Sequence, residues 1–223
     1  MKPLELIATA KAPDGEQLRL MRRGEDFMIV LDRNELMNSR MSGSEEALAT
    51  MTAERLNGRA AQHWLIGGYG MGFTLRAALA ALGPHTELTV AELVPEIVAW
   101  ARGPMAALTG GCLDDPRVAV VLHDVADLIG RARGAYDAIL LDVDNGPDAL
   151  VRAANDRLYA PAGLAAAKAA LKTGGVLAVW SAAQDPAFAS RLRKAGYAVE
   201  EVTVRARSNG KGARHTIWFA PAR

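Results

Sequence analysis

Three closely spaced glycines and a carboxylate further along the chain are the residues whose spacing suggests a binding site. Gly68, Gly70 and Gly72 follow the apolar run 64–66 and precede apolar positions at helical spacing. Glu92 lies near the end of the next apolar run, 20 residues beyond Gly72. Glycine lets the backbone come close to a ligand, a helix start favours a polar or anionic group, and a strand-end carboxylate accepts hydrogen bonds from ribose hydroxyls. The pattern predicts a nucleotide site; the structural alternative is a tight turn that happens to contain glycine.

Further carboxylates follow two later apolar runs. Asp124 comes after residues 118–122, and Asp142 comes directly after residues 136–141, with Asp144 two positions beyond. A carboxylate after such a strand can stabilise a bound ammonium ion or accept a proton from an amine. For Asp144 a structural explanation is equally good, because the sequence Asp-Asn-Gly-Pro makes a turn by itself.

The composition is that of an ordinary globular protein. The 223 residues suit one large domain, or one domain with a small appendage, and the net charge of +1 gives no sign of a nucleic-acid surface. Cys112 is the only cysteine, and the four histidines show no metal-ligand spacing, so neither a disulfide nor a metal site is predicted. No run of about 18 apolar residues suggests a membrane span, and we expect a cytoplasmic protein without a membrane or nucleic-acid partner.

The N-terminal part differs in texture from the rest of the chain. Its short β-like runs, separated by turn sequences, predict a small β-meander over residues 4–8, 17–21 and 27–31. Residues 34–44 are polar and methionine-rich with no clean period, which predicts a connector; whether it covers the site is left open by the sequence. Residues 45–56 then have helical periodicity. We therefore expect a small unit over residues 1–44 and a main domain over residues 45–223.

From residue 63 onward, apolar runs alternate with helical patterns, which is typical of a parallel sheet covered on both faces. The predicted strands are residues 64–66, 88–93, 118–122, 136–141 and 176–180. Residues 198–206 and 215–220 are separated by too few residues for a helical crossover, so they should pair antiparallel. The expected fold is α/β, with a doubly wound, mostly parallel seven-stranded sheet and an antiparallel C-terminal hairpin.

This arrangement, over residues 60–220, resembles class I S-adenosylmethionine-dependent transferases, and several motifs resemble their spermidine-synthase-like branch. The glycine loop is similar to the nucleoside loop of those enzymes, and the segment from Asp115 to Asp124 resembles their "DPRV…D" run. The resemblance implies S-adenosylmethionine or its decarboxylated form as cofactor, no metal, and a small acceptor such as an amine. A homodimer is also implied.

The resemblance assigns roles by position in this sequence. Asp142 and Asp144 would face the reacting sulfonium, and Asp156 and Tyr159 would border the acceptor pocket, although both could instead cap or pack a helix over residues 161–171. Met37 could line an apolar part of that pocket or simply fill the core. The cofactor-binding residues would be Gly68, Tyr69, Gly70, Met71, Gly72, Glu92 and Asp124.

Which group is transferred stays open between aminopropyl and methyl. The aminopropyltransferase loop is written GGGDGG, and Met71 stands where that pattern has aspartate. A tyrosine-glutamine-glutamate segment is also expected upstream, where this chain has the different sequence of residues 39–46, in which either Glu45 or Glu46 could substitute. Two other functions are alternatives: a non-catalytic nucleoside-binding module, and an NAD-dependent oxidoreductase, whose glycine pattern needs glycine where Phe73 stands.

Overall fold

Two β-sheets organise the chain in the computed structural model, which describes residues 2–12, 15–32, 34–143 and 156–222. The N-terminal sheet is an antiparallel meander in chain order. Its strands are β1 (Glu5–Lys11), β2 (Gln17–Arg23), β3 (Asp26–Leu31) and β4 (Asn34–Asn38). The predicted meander is confirmed, but β4 was expected to be part of a connector. That expectation was wrong because residues 34–38 pair antiparallel with β3 at the edge of the sheet, and an edge strand tolerates a polar sequence like Asn-Glu-Leu-Met-Asn.

The seven-stranded sheet has the order β10-β11-β9-β8-β5-β6-β7, with β10 and β11 antiparallel and the other five strands parallel. The predicted fold class is therefore confirmed. Its strands are β5 (His63–Gly67), β6 (Glu87–Glu92), β7 (Val118–Leu122), β8 (Tyr136–Leu141), β9 (Leu171–Ser181), β10 (Glu200–Arg205) and β11 (Arg214–Pro221).

Helices connect and cover these strands, and three of them begin with proline, which suits the first helical turn because it lacks an N–H. The helices are α1 (Gly43–Arg55), α2 (Phe73–Ala81), α3 (Pro95–Arg102), α4 (Ala106–Thr109), α5 (Val125–Arg131), α6 (Asp156–Tyr159), α7 (Pro161–Ala170) and α8 (Pro186–Lys194), with a short 3₁₀ turn at Cys112–Asp114. None of the helices within the described residues has the length and apolar character needed to cross a membrane.

The sequence Lys-Thr-Gly-Gly at residues 172–175, which is typical of a turn, lies inside β9. Tyr136 pairs with Leu171 and Ala138 pairs with Val176, so β9 contains three more residues than β8 over this stretch. Gly174 lies in this bulge with a φ of +68°, a conformation that glycine adopts without strain. The turn chemistry in the sequence therefore produces a bulge in a continuous strand.

Adjacent residues on the central strands pack into opposite faces of the sheet. Trp64 belongs to the core between the sheet and α1, α2 and the N-terminal meander, whereas Leu65 belongs to the core under α5, α7 and α8. Trp218 and Phe219 alternate in the same way. The N-terminal sheet thus shares one core with the large sheet, and this packing holds it against the carboxyl ends of β5, β6 and β8.

Candidate functional site

The glycine turn between β5 and α2 is shaped by close approaches. Gly68, Gly70 and Gly72 have φ values of +85°, +55° and +75°, and residues other than glycine rarely adopt this backbone conformation. A Cβ atom on Gly68 would overlap the carbonyl oxygen of Asp142, and one on Gly70 would overlap the side chain of Met37. The turn is therefore packed against the end of β8 on one side and the N-terminal sheet on the other.

Glu92 at the end of β6 fixes the glycine turn to the neighbouring strand. Its side chain is 6% exposed; Oε2 accepts a hydrogen bond from the Tyr69 N–H at 3.0 Å, and Oε1 accepts from Leu93 and Val94 N–H at 2.7 and 2.8 Å. Burial raises the pKa of this carboxyl, while the backbone N–H donors favour its ionised form. The result is a carboxylate held in one orientation at the wall of a cleft.

That cleft has an apolar wall and an acidic wall. Its apolar wall comes from the N-terminal sheet, through Leu18, Ile29, Leu36 and Met37. Facing it are Gly68, Gly70 and three carboxylates, those of Glu92, Asp124 and Asp142. Among the described residues that line the cleft there is no lysine or arginine, and His123 is the single basic side chain. Such a cleft favours a ligand with an apolar body and a positive charge.

Asp124 has structural partners as well as a place in the cleft. Its Oδ1 accepts a hydrogen bond from the Ala126 N–H at 2.7 Å, which caps α5, and its Oδ2 pairs with the Arg157 guanidinium of α6. Because Arg157 offsets the charge of Asp124, the acidity of the cleft comes mainly from Glu92 and Asp142.

Asp142 follows β8 directly and lies beside the glycine turn. Its Oδ2 accepts a hydrogen bond from the Thr74 hydroxyl in the first turn of α2, at 2.8 Å, and its backbone N–H donates to the Gly67 carbonyl. Burial raises the pKa of Asp142 to about 6, against the opposing effect of Thr74. This carboxyl therefore titrates close to neutrality and can exchange a proton there.

Glu45, in the first turn of α1, is the second titratable carboxyl of this region. When the carboxyl is ionised, its Oε2 accepts a hydrogen bond from the Ser44 hydroxyl at 2.6 Å. Burial and the negative charge of Asp142 raise the pKa of Glu45 to about 8. The sequence indicated Glu45 only as one of two glutamates, with Glu46, that could substitute in an expected motif, because nothing in the local pattern shows that α1 approaches the end of β8.

The remaining predicted residues fall into three groups. Tyr69 and Met71 place their side chains in the core, where the Tyr69 hydroxyl lies 3.4 Å from Cys112 Sγ. Tyr159 is buried and its ring meets Phe188 edge-on at 5.5 Å. Gly72 is the N-cap of α2, Asp156 is the first residue of α6, and Asp144 lies outside the described residues.

No protein-family model matches this chain. Among curated proteins it is similar to the polyamine aminopropyltransferase of Mycobacterium tuberculosis, with 29% identity over 193 residues, 82% of this chain and 35% of that protein. It is also similar to polyamine aminopropyltransferase 1 of Streptomyces coelicolor, with 40% identity over 80 residues, 35% of this chain and 15% of that protein. The chain thus spans about a third, 35%, of the length of the first of these relatives.

Solved spermidine synthases have the same fold. The enzyme from Thermotoga maritima matches with a TM-score of 0.76 and 18% identity, over 98% of this chain and 73% of that one. A spermidine synthase in complex with the transition-state analogue AdoDATO matches with a TM-score of 0.75 and 17% identity, over 98% and 72%. The comparisons confirm the resemblance to the spermidine-synthase-like branch of the methyltransferase fold.

Proposed function

We propose that this chain transfers an aminopropyl group from a decarboxylated S-adenosylmethionine-type sulfonium to a small amine. The acidic wall of the cleft is the observation that carries the proposal, because both the donor tail and the acceptor would be cations. The names of the curated relatives, polyamine aminopropyltransferases, support the same class of reaction. Methyl transfer from the carboxylated form is the competing outcome that the experiments below test.

The residues of the cleft fit an adenosyl group. Gly68 and Gly70 line the cleft, and the absence of side chains lets the turn pack closely against Asp142 and Met37 there. We assign Glu92 to the ribose hydroxyls, since its carboxylate is already oriented by the turn that it holds, and Asp124 to the neighbourhood of the adenine. Tyr69, Met71 and Gly72 would act by shaping the turn, because two of them contribute their side chains to the core and the third begins α2.

The charge of the cleft discriminates between the two forms of the sulfonium. The decarboxylated tail has only an ammonium group, whereas the other form also has a carboxylate. A carboxylate about 5 Å from the ionised Asp142 would cost roughly 3 kcal/mol at an effective dielectric constant of about 20. We therefore expect the decarboxylated form to bind about 100-fold more tightly, since about 1.4 kcal/mol is equivalent to a factor of ten.

A sulfonium donor supplies a carbon that is already activated toward nucleophiles. The protein's contribution is therefore to align the acceptor amine and to accept its proton. Asp142 suits the second task because its pKa of about 6 leaves it mostly ionised at neutral pH. Asp144, Asp156 and Tyr159 remain proposals for the acceptor side, and the homodimer is a proposal that sedimentation would test.

The test combines binding and turnover. Calorimetry with the decarboxylated sulfonium, S-adenosylmethionine and methylthioadenosine should give the tightest binding for the first, followed by an aminopropylated product when a diamine is added and the mixture is analysed by mass spectrometry. Asp142→Asn should keep methylthioadenosine binding and lose transfer. Tighter binding of S-adenosylmethionine with a methylated product would replace the proposal by methyl transfer, and nucleoside binding without any transfer would indicate a binding module.

A further inference from the structure

Ser44, its neighbour Glu45 and the distant His215 form a hydrogen-bonded chain next to Asp142. The Thr74 hydroxyl joins Glu45 to Asp142, since it lies 3.3 Å from the Glu45 carbonyl oxygen and 2.8 Å from Asp142 Oδ2. The Ser44 hydroxyl lies 2.6 Å from Glu45 Oε2 and 2.8 Å from His215 Nδ1. Ser44 is fully buried, and the His215 ring, on β11, meets the Trp180 ring edge-on at 4.9 Å. Ser44 is therefore fixed by burial, and the half-buried Glu45 and His215 side chains are oriented by their contacts with Ser44 and Trp180.

The start of α1 is fixed against the C-terminal hairpin, and this contact keeps Ser44 within hydrogen-bond distance of His215. The Gly43 N–H donates to the Ala206 carbonyl at 2.9 Å, and a Cβ on Gly43 would overlap the backbone of Arg207. This close contact sets the separation between Ser44 on α1 and His215 on β11.

A serine hydroxyl has one proton, so only two arrangements satisfy the chain. When Glu45 is ionised, Ser44 donates to Glu45 and His215 must donate from Nδ1 to Ser44. When Glu45 is protonated, Glu45 donates to Ser44, and Ser44 donates to an unprotonated Nδ1. The protonation of Glu45 therefore decides which nitrogen of His215 carries the proton.

We propose that Glu45, Ser44 and His215 form a proton relay that serves Asp142 during the transfer reaction. The proposal rests on the proposed function for its reaction, but the relay itself is a property of the ligand-free protein. In this scheme Asp142 is the catalytic residue, while Glu45, Ser44 and His215 act through it as positioning residues.

The charges around Glu45 agree with this role. The titratable groups that face it are Asp142, at the end of β8, and Glu46, its neighbour on α1, and both raise its pKa; His215 of β11 is reached through Ser44. Burial lowers the pKa of His215, which is therefore neutral at rest and returns a proton readily. Burial and mutual repulsion favour one shared proton on the Asp142 and Glu45 carboxyls near neutral pH, and in the proposed relay the resting position of this proton is Glu45.

The step balances as follows. The acceptor ammonium loses one N–H proton to Asp142, its nitrogen then forms a bond to the aminopropyl carbon, and the C–S bond breaks with its electron pair remaining on sulfur. The products are a secondary ammonium, a neutral thioether and one proton. As Asp142 passes its proton to Glu45, the proton already on Glu45 moves to Ser44, the Ser44 proton moves to Nδ1 of His215, and His215 releases its Nε2 proton to solvent. Rotation of the Glu45 and Ser44 O–H groups and proton exchange between His215 and solvent then restore the resting arrangement, so one proton leaves in each turnover.

The first test determines the tautomer of His215 by ¹⁵N NMR in the ligand-free protein. The His215 resonance is assigned as the one that is missing from the spectrum of His215→Gln. We expect Nε2–H below pH 8 and Nδ1–H above it. Glu45→Gln should abolish this change, whereas Glu46→Gln, with the same loss of formal charge on the next residue, should keep it. A His215 tautomer that is the same on both sides of pH 8, or equal behaviour of the two variants, would overturn the relay.

The second test measures transfer. Glu45→Gln should lower kcat by about tenfold or more with little change in KM, because substrate binding does not use the relay, and Glu45→Asp should recover part of the loss. Glu46→Gln should match the wild type. If the wild type shows no transfer, the proposed function fails, and the NMR result still decides whether the three residues exchange a proton. If Glu45→Gln keeps both the kcat and the pH profile of the wild type, the relay has no part in the reaction.

Discussion

The pKa of Glu45 makes the stability of the fold depend on pH in a direction opposite to that of most carboxyls. Its value is raised from 4.5 to about 8 in the folded protein. Between these values the folded state binds a proton that the unfolded state has lost, so the free energy of unfolding falls as pH rises. At about 1.4 kcal/mol for each tenfold change in proton affinity, the full rise is equivalent to about 5 kcal/mol. This loss begins near pH 4.5 and is complete above pH 8.

Replacing Glu45 by glutamine should remove this dependence. Urea unfolding at pH 5, 7 and 8.5 should show the variant close to the wild type at pH 5 and more stable by up to about 5 kcal/mol at pH 8.5. Asp142, with a pKa raised from 3.8 to about 6, contributes a loss of the same sign at lower pH in both proteins. Glu46→Gln is the matched control and should follow the wild type. Parallel wild-type and Glu45→Gln curves from pH 5 to 8.5 would refute the reasoning.

Three further substitutions test the glycine turn and its surroundings. Gly68→Ala should destabilise the fold by at least about 1–2 kcal/mol, from the left-handed backbone alone, and abolish methylthioadenosine binding in calorimetry, whereas Gly83→Ala, a site with open space, should leave binding intact. Glu92→Gln should weaken methylthioadenosine binding about 10- to 100-fold, since a hydrogen bond to a charged group contributes about 1.5–3 kcal/mol; unchanged affinity would remove Glu92 from the ribose site. Met71→Asp should lower the melting temperature strongly without tightening binding of the decarboxylated sulfonium, because residue 71 is 1% exposed in the core, and a tighter complex would contradict this placement.

The sheet was predictable because its strands carry local signals. Residues 136–141 form β8 as predicted, and all six are buried, which suits a strand whose apolar residues are interrupted only by Asp137. The C-terminal hairpin was predictable by chain length, since eight residues between β10 and β11 leave no room for a crossover helix. The predictions of β8 and of the C-terminal hairpin each require only the sequence of one or two neighbouring strands.

The contacts behind Asp142 were not predictable in the same way. Ser44 and His215 are separated by 171 positions, and they meet because Gly43 lets α1 approach the backbone of the C-terminal hairpin. A glycine before a helix is also compatible with an ordinary N-terminus, so the sequence offers no reason to choose the close contact. Polar networks of this kind depend on tertiary packing, which hydrophobic periodicity and secondary-structure propensity do not predict.

The position of Met71 changes how the departure from the GGGDGG pattern bears on function. A methionine in place of aspartate removes a carboxylate from the turn, which by itself argues against a ligand with an ammonium tail. However, the Met71 side chain lies in the core, while Asp142 contributes a carboxylate to the cleft wall from β8 and Glu45 lies near it on α1. Negative charge is therefore supplied by the elements around the turn rather than by the turn itself, and a cationic tail remains compatible with this cleft. Selectivity for such a tail would then follow the ionisation of Asp142, so affinity for the decarboxylated sulfonium should fall as pH drops below about 6.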